Sequence, residues 1–456
     1  MELSLPRKIL KYTIDVLLLI ILAAACVSII FYASGYRLNF KTKKIQKTGL
    51  LVIDCRENDL QIFIDNKKVK SKRNVIPSVI SAPYSVTLLP GEYDLSVNKE
   101  GKVPYEERVK ISPELITRVN YVVLFPENPE EKILIKKDIG QWSLSPDNKK
   151  IVYADNNNDI YVYDIEKKEG EKTVENAFFK NKVISGYTWD NDGRKVLINI
   201  RESKNYFNYL LDTSNPKNSF FLHEKLSFAP FLEQTFFSER NSNELFGVAN
   251  NGILYNIKLT LGIVTPLDQN VSDLIQNNNY LFYYKKGASQ LIQFDINILK
   301  STVLMKDIKR SEDFFILPLN NSKSIFVQNE GRIFLVENSE TLTPIDENVS
   351  KIFPSKNNRS FYYAKGFEIW FYDETKKKKE LVTRFGNTVI DLEEYYDNYH
   401  LLYATKNSMG VIKKDGANNI VIKDNLNIET VKDIGKNQVL IIEQKDKEKS
   451  FVVLGL

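Results

Sequence analysis

Hydrophobic positions follow three different rhythms along this chain. The first is an unbroken run. Val16 to Ala33 carries only Ser28 and Tyr32 as polar side chains, and extended back to Tyr12 the run covers 22 residues. At about 1.5 Å per residue such a helix spans roughly 33 Å, enough for a hydrocarbon core of about 30 Å. Its anchor residues are Val16, Leu17, Leu18, Leu19, Ile20, Ile21, Leu22, Val27, Ile29, Ile30 and Phe31. Tyr12, Tyr32 and Tyr36 flank the run, where aromatic rings favour the membrane interface.

The second rhythm is alternation with a period of two, which predicts half-buried strands. It appears at Leu50–Asp54, Leu60–Ile64, Tyr84–Leu88, Tyr93–Val97, Arg108–Ile111 and Thr117–Leu124. Asp65-Asn66 and Pro90-Gly91 supply turns between them. These strands predict a small β-sandwich over residues 46–126.

The third rhythm is strand alternation repeated at long period. Its clearest unit runs from Trp142 through Ser145-Pro146-Asp147 to Ile151-Val152-Tyr153-Ala154, then on to Asp159–Asp164. A variant follows from Tyr187 through Asp190-Asn191-Asp192-Gly193 to Ile198. Equivalent second strands fall at Ile151, Val196, Leu245, Leu281, Ile325, Phe361, Leu401 and Leu440, a mean spacing of about 41 residues. Four short strands per unit at that period predict a β-propeller over residues 130–456, with eight blades favoured and seven as the alternative. The last unit shows strands near Val431, Val439 and Phe451–Leu454, one fewer than the others. Ile133-Leu134-Ile135, ahead of the first unit, is a spare strand. It is expected to complete the last unit and close the ring, which removes exposed edges. The fold class is thus mainly all-β: a tail over 1–11, a transmembrane helix over 12–34, a linker over 35–45, the sandwich and the propeller.

Two resemblances follow from quoted residues. Leu89-Pro90-Gly91-Glu92-Tyr93 and Lys99–Glu106, with Gly101 and Tyr105, resemble the two later motifs of the PEGA domain family. Lys102 stands where that family usually has an aromatic residue, and Glu57–Leu60 replaces its signature loop. The resemblance implies a surface or envelope interaction module without chemistry of its own; a plain spacer sandwich is the other reading. The repeat units resemble the TolB-like and WD40-like propellers, most clearly in the first two units and at Phe361–Ala364.

Two other readings of the apolar run compete with an uncleaved anchor. Signal-peptide apolar regions usually span about 7–15 residues, fewer than this one. A lipidated Cys26 would normally precede polar residues, but Val27, Ile29, Ile30 and Phe31 follow it. Arg7, Lys8 and Lys11 precede the run, and Arg37, Lys41, Lys43, Lys44 and Lys47 follow it. Long domains translocate largely regardless of flanking charge, so a cytoplasmic N-terminus and extracytoplasmic C-terminal domains are expected.

Composition narrows the function. Net charge is +5 over 456 residues, with Lys interleaved among Asp and Glu, which argues against a nucleic-acid partner. Cys26 and Cys55 make no disulfide framework, which suggests a prokaryotic source. His223 and His400 fall in different repeats without spaced partners, so each is read as a loop or partly buried residue. Asp155–Asp159 and Asp190–Gly193 look like calcium loops but lack EF-hand ligand spacing, and both sit where turns are required. Lys376–Lys379 is read as a solvated loop tip. No catalytic, cofactor or metal residue is therefore assigned. The expectation is a single-pass, membrane-anchored binding or scaffolding protein of a prokaryotic cell envelope, not an enzyme. Membrane lipid would meet its helix, and a protein or glycan of unknown identity its propeller. A propeller hydrolase or lyase acting on envelope glycan or peptide is the alternative.

Overall fold

The apolar run folds as α1 (Leu5–Ala33) in the computed structural model, which describes residues 5–39, 43–55, 57–69, 72–73, 84–175, 179, 182–203, 205–226, 231–319, 324–356, 359–445 and 448–456. Residues 1–4 of the expected tail, 40–42 of the linker with Lys41, and 74–83 of the sandwich lie outside the described residues. Thr13–Ala33 has a mean hydropathy of 2.9 and none of it is covered by protein, so it is apolar and long enough for a membrane span or a signal sequence. Contacts divide the chain into two units, Met1–Pro129 and Glu130–Leu456.

In the first unit the stretch read as linker holds a hairpin. Its strands are β1 (Tyr36–Asn39) and β2 (Lys44–Lys47), with Leu38 opposite Ile45. Two four-stranded sheets follow. The first contains β3 (Gly49–Cys55), β6 (Lys72–Arg73), β7 (Tyr84–Leu88) and β10 (Ile116–Val122), ordered β10-β3-β7-β6. The second contains β4 (Gln61–Ile64), β5 (Lys67–Lys68), β8 (Gly91–Asn98) and β9 (Tyr105–Ile111), ordered β5-β4-β8-β9. The alternation in sequence becomes alternation in burial. In β3 Leu51, Ile53 and Cys55 point inward while Leu50, Val52 and Asp54 are half-exposed. The inward residues of both sheets form one core, including Ile53, Ile64, Val97, Tyr105, Ile111 and Val119. Burial pushes the Cys55 thiol above its ordinary pKa, which leaves it a packing residue.

The second unit consists of eight four-stranded antiparallel sheets, named A to H. They span 139–174 (A), 183–221 (B), 232–268 (C), 271–305 (D), 315–347 (E), 351–384 (F), 389–424 (G) and 428–455 (H). Sheet H supplies three strands, and β11 (Glu130–Lys137) adds the fourth by pairing antiparallel with Glu448–Gly455. The spare strand therefore does complete the last unit. Within it Ile135 is buried, Leu134 half-buried and Ile133 exposed, so one face alone enters the core.

Each sheet packs on the next. Val152 and Ile198 share the A–B core, and Leu197 and Leu245 the B–C core. Phe246 and Tyr283 share the C–D core, Tyr284 and Val327 the D–E core. Phe326 and Tyr363 join E to F, Tyr362 and Tyr403 join F to G, and Leu440 joins H to Tyr153 of A. Sheets G and H meet through Val389–Glu394 and Ile428–Gly435. All eight second-strand positions read from the repeat fall on second strands, and each is buried. First strands of successive sheets lie side by side, as Ile139–Leu144 does with Val183–Trp189. Fourth strands such as Lys300–Met305 face mostly solvent. The first strands are thus innermost and line an axis.

Candidate functional site at the propeller axis

Three neighbouring innermost strands, Lys351–Pro354, Val389–Glu394 and Ile428–Gly435, bring oppositely charged side chains together. The register explains why. Lys351 lies opposite Ala364 and Asp391 opposite Ala404, equivalent places in sheets F and G. Residues about one repeat apart therefore become neighbours around the axis.

Asp391 is the hub. It is 4% exposed. Lys351 Nζ lies 3.2 Å from Oδ1 and Lys432 Nζ 3.5 Å from Oδ2. Thr430 Oγ1 and the Val431 N–H also donate to Oδ2. Burial opposes its charge, but Lys432, Thr430 and Lys351 outweigh it and hold the carboxyl below its ordinary pKa. Burial likewise opposes the charge of Lys432, while Glu393 and Asp391 raise its pKa. Lys432 Nζ donates to Glu393 at 3.0 Å. A second knot surrounds Glu394, which accepts from Ser355 Oγ at 2.7 Å, the Lys356 N–H at 2.8 Å and Lys414 Nζ at 2.8 Å. Lys356 Nζ donates to the Glu394 carbonyl at 2.7 Å and reaches Asp433 at 3.4 Å.

A cleft of about 240 Å³ opens between these groups, lined also by Phe353 and Tyr362. It lies just below the range of about 300–1,000 Å³ that suits small-molecule ligands. Three carboxylates, Asp391, Glu393 and Glu394, converge on it, which a carboxylate-only hydrolase requires. Each is engaged by ammonium or N–H donors, and Asp391 is held ionised. A general acid needs the opposite, a raised pKa. The lining alternates cation and anion over a partly apolar floor, an arrangement suited to binding a polar group. Among the described residues no group of three or more His, Cys, Asp or Glu is placed to hold a metal.

A second polar pattern recurs between sheets. Asp268, ending sheet C, accepts from Tyr283 Oη at 2.6 Å and Lys285 Nζ at 2.6 Å of sheet D. Asp346 of sheet E accepts from Tyr363 Oη at 2.7 Å and Lys365 Nζ at 2.9 Å of sheet F. These Tyr-x-Lys…Asp staples tie neighbouring sheets. Burial and then the carboxylate hydrogen bond push the Tyr283 and Tyr363 pKa values up, so both stay protonated donors.

The residues singled out from sequence are distributed as follows. The anchor residues Val16–Leu22, Val27, Ile29, Ile30 and Phe31 all lie on α1 and are exposed. Leu89 and Pro90 precede β8, and Tyr93 Oη donates to the Leu89 carbonyl at 2.9 Å, clamping that turn. Gly91 and Glu92 are exposed, and Gly101 takes φ +73°, a left-handed turn that favours glycine. Tyr105 is wholly buried in the sandwich core. His223 is exposed, whereas His400 is wholly buried, with Nδ1 2.6 Å from Asp397 Oδ2, so the partly buried reading is corrected for His400. Asp155 and Asp190 cap their own hairpins: Asp155 Oδ1 accepts from the Asn157 and Asp159 N–H groups, Asp190 Oδ1 from those of Arg194 and Lys195. Lys376 and Lys377 form a hairpin tip, but Lys378 and Lys379 belong to a strand, and Lys379 reaches Asp346 at 3.3 Å. None of the axial residues stood out beforehand. Opposite charges one repeat apart, as at Lys351 and Asp391, were the available signal.

No protein-family model matches the chain, and no curated protein matches it. Solved structures do. The C-terminal WD40 domain of Sif2 is 10% identical, with a TM-score of 0.51, covering 72% of this chain and 99% of that one. An oligogalacturonate lyase from Vibrio parahaemolyticus is 10% identical, with a TM-score of 0.43, covering 72% of this chain and 98% of that one. Likeness at this identity shows the fold alone, a β-propeller like that WD40 domain.

Proposed function

We propose that this chain is a membrane-anchored binding or scaffolding protein of a prokaryotic cell envelope. In this reading α1 spans the membrane once with its N-terminus cytoplasmic. A PEGA-like sandwich and an eight-bladed propeller lie outside, and the propeller takes a protein or glycan partner at its axial cleft. The eight mutually packed sheets support the blade count, and the single shared core of β3–β10 supports the sandwich. The observation that carries the function is the pairing of the axial charges: Asp391 and Glu394 each accept from three or more donors, and Glu393 pairs with Lys432. Charges paired in this way hold a recognition surface in place, and Asp391, held ionised, is not a poised acid.

The test is capture from envelope extracts with the full chain in detergent, comparing wild type with Glu393→Ala and Lys356→Ala. A partner retained by wild type and lost from both variants, at unchanged melting temperature, is the expected result. The converging carboxylates favour one second reading, a hydrolase or lyase on envelope glycan or peptide. Release of soluble fragments from purified envelope polymer, abolished by Asp391→Asn, would replace the binding reading with it.

A further inference from the structure

The end of the first unit next to α1 has a composition that neither the sandwich core nor the propeller explains. No acidic residue occurs between Ser34 and Thr48. Leu38 and Ile45 sit opposite one another across the β1–β2 hairpin, yet they are 48% and 62% exposed. A cross-strand apolar pair normally supports a sheet by packing on something. Tyr36 and Lys47 share their face, and Lys44 lies on the other. Lys43 and Lys44 are exposed and have no carboxylate partner among the described residues.

This hairpin is fixed to the helix end. The Arg37 guanidinium donates to the Tyr32 and Tyr36 carbonyls at 2.7 and 2.8 Å and stacks 3.5 Å over the Tyr32 ring. The Thr48 N–H and Oγ1 donate to the Gly35 carbonyl at 2.9 and 3.0 Å. The Glu114 N–H in turn donates to the Thr48 carbonyl at 3.0 Å, and Lys47 pairs with Glu114. That bond brings the β9–β10 turn to the same end, where Leu115 is 60% exposed. Once α1 spans a membrane, a hairpin starting three residues after it and tied to its last turn is held within reach of the headgroup layer. One face carries Tyr36, Leu38 and Ile45, with Lys47 engaged by Glu114, and the other carries Arg37 and Lys44 with neutral Asn39 and Gln46, a pattern suited to an interfacial amphipathic element.

We propose that the hairpin is a lipid-docking foot: Leu38 and Ile45 enter the interface while Lys43 and Lys44 bind the phosphates of anionic phospholipids. The proposal rests on the reading of α1 as a membrane span but holds for either orientation of the chain. Basic juxtamembrane side chains gain roughly fivefold each from an anionic leaflet, so losing both lysines lowers the docked-to-free ratio about 25-fold.

The test uses the full chain with Cys26→Ser and one fluorophore at Gln46→Cys, which leaves the Leu38–Ile45 pair intact. The protein is reconstituted in phosphatidylcholine vesicles with or without phosphatidylglycerol, together with lipids carrying a shallow quencher. A probe at Glu100→Cys is the control. Glu100 follows β8, whose first residue Gly91 lies opposite Ile111, so it marks the far end of the sandwich. Quenching at 46 but not at 100, lost in pure phosphatidylcholine and in Lys43→Glu/Lys44→Glu, is expected. Equal quenching at both positions, or quenching at 46 indifferent to anionic lipid and to the lysines, overturns the foot. Leu38→Ser/Ile45→Ser must also reduce quenching at 46; an unchanged signal refutes the apolar half. Alkaline carbonate washing separates the two readings. Protein that washes off the vesicles removes the span reading and the foot with it, whereas protein that stays bound with an unquenched probe overturns the foot alone.

Discussion

Replacing Ile135 by Ala tests ring closure at a single side chain. Ile135 pairs with Phe451 across the junction of β11 with sheet H and is 6% exposed, whereas Ile133 pairs with Val452 and is 59% exposed. The two share residue type and strand, and differ in which face they present. Ile135 packs among Ile139, Tyr153, Leu440 and Phe451, a core shared with sheet A. Truncating a buried Ile to Ala costs about 2–5 kcal/mol through lost transfer energy and the cavity left behind. Ile133→Ala stays within about 0.5 kcal/mol, as surface changes do. Domains of about 150–250 residues lose about 2–4 °C of Tm per kcal/mol, and the propeller is larger. Ile135→Ala should therefore lower its Tm by roughly 5 °C. Calorimetry of the wild type and both variants decides the matter. Equal shifts, or none for Ile135→Ala, would show that β11 does not close the ring in this register.

Asp346 predicts an acid limb of stability. Burial opposes its charge, but Lys365, Tyr363 and the Glu347 N–H bring its pKa from 3.8 down to about 2. The folded state then binds fewer protons than the unfolded state between those values. The contribution is whole above pH 3.8, is lost as pH falls through about 2, and amounts to about 2 kcal/mol. Asp346→Asn should flatten that limb in urea titrations, and an unchanged pH profile speaks against the staple. Gly410→Ala places a Cβ against the Ile420 carbonyl and Tyr403 Oη, costing about 1–3 kcal/mol by overpacking, read as a lower urea midpoint. Cys26, exposed on α1 and followed by apolar residues, should take up no radiolabelled fatty acid; label that disappears in Cys26→Ser would establish a lipoprotein.

Much of this protein is determined by its sequence taken alone, because the relevant physics is local and periodic. An uninterrupted apolar run of 18 residues is too long for an ordinary strand and reads as a helix, so α1 was legible from Val16–Ala33. Alternation set which residues of β3 face the core, and the 41-residue repeat located all eight second strands. The missing strand of the last unit and the spare one at Ile133–Ile135 were visible as a mismatch in count. Other features depended on neighbours that no local pattern names. The face of β11 that enters the core was set by its register with Glu448–Gly455, which left Ile133 in solvent. The β1–β2 hairpin passed for linker because its lysines masked a short alternation that the helix end stabilises. The axial cluster arose because ring geometry places Lys351, Asp391 and Lys432 side by side although about forty residues separate each from the next. In sequence those charges look like ordinary surface residues. Only the tertiary structure buries Asp391 among them, and burial makes their pairing obligatory.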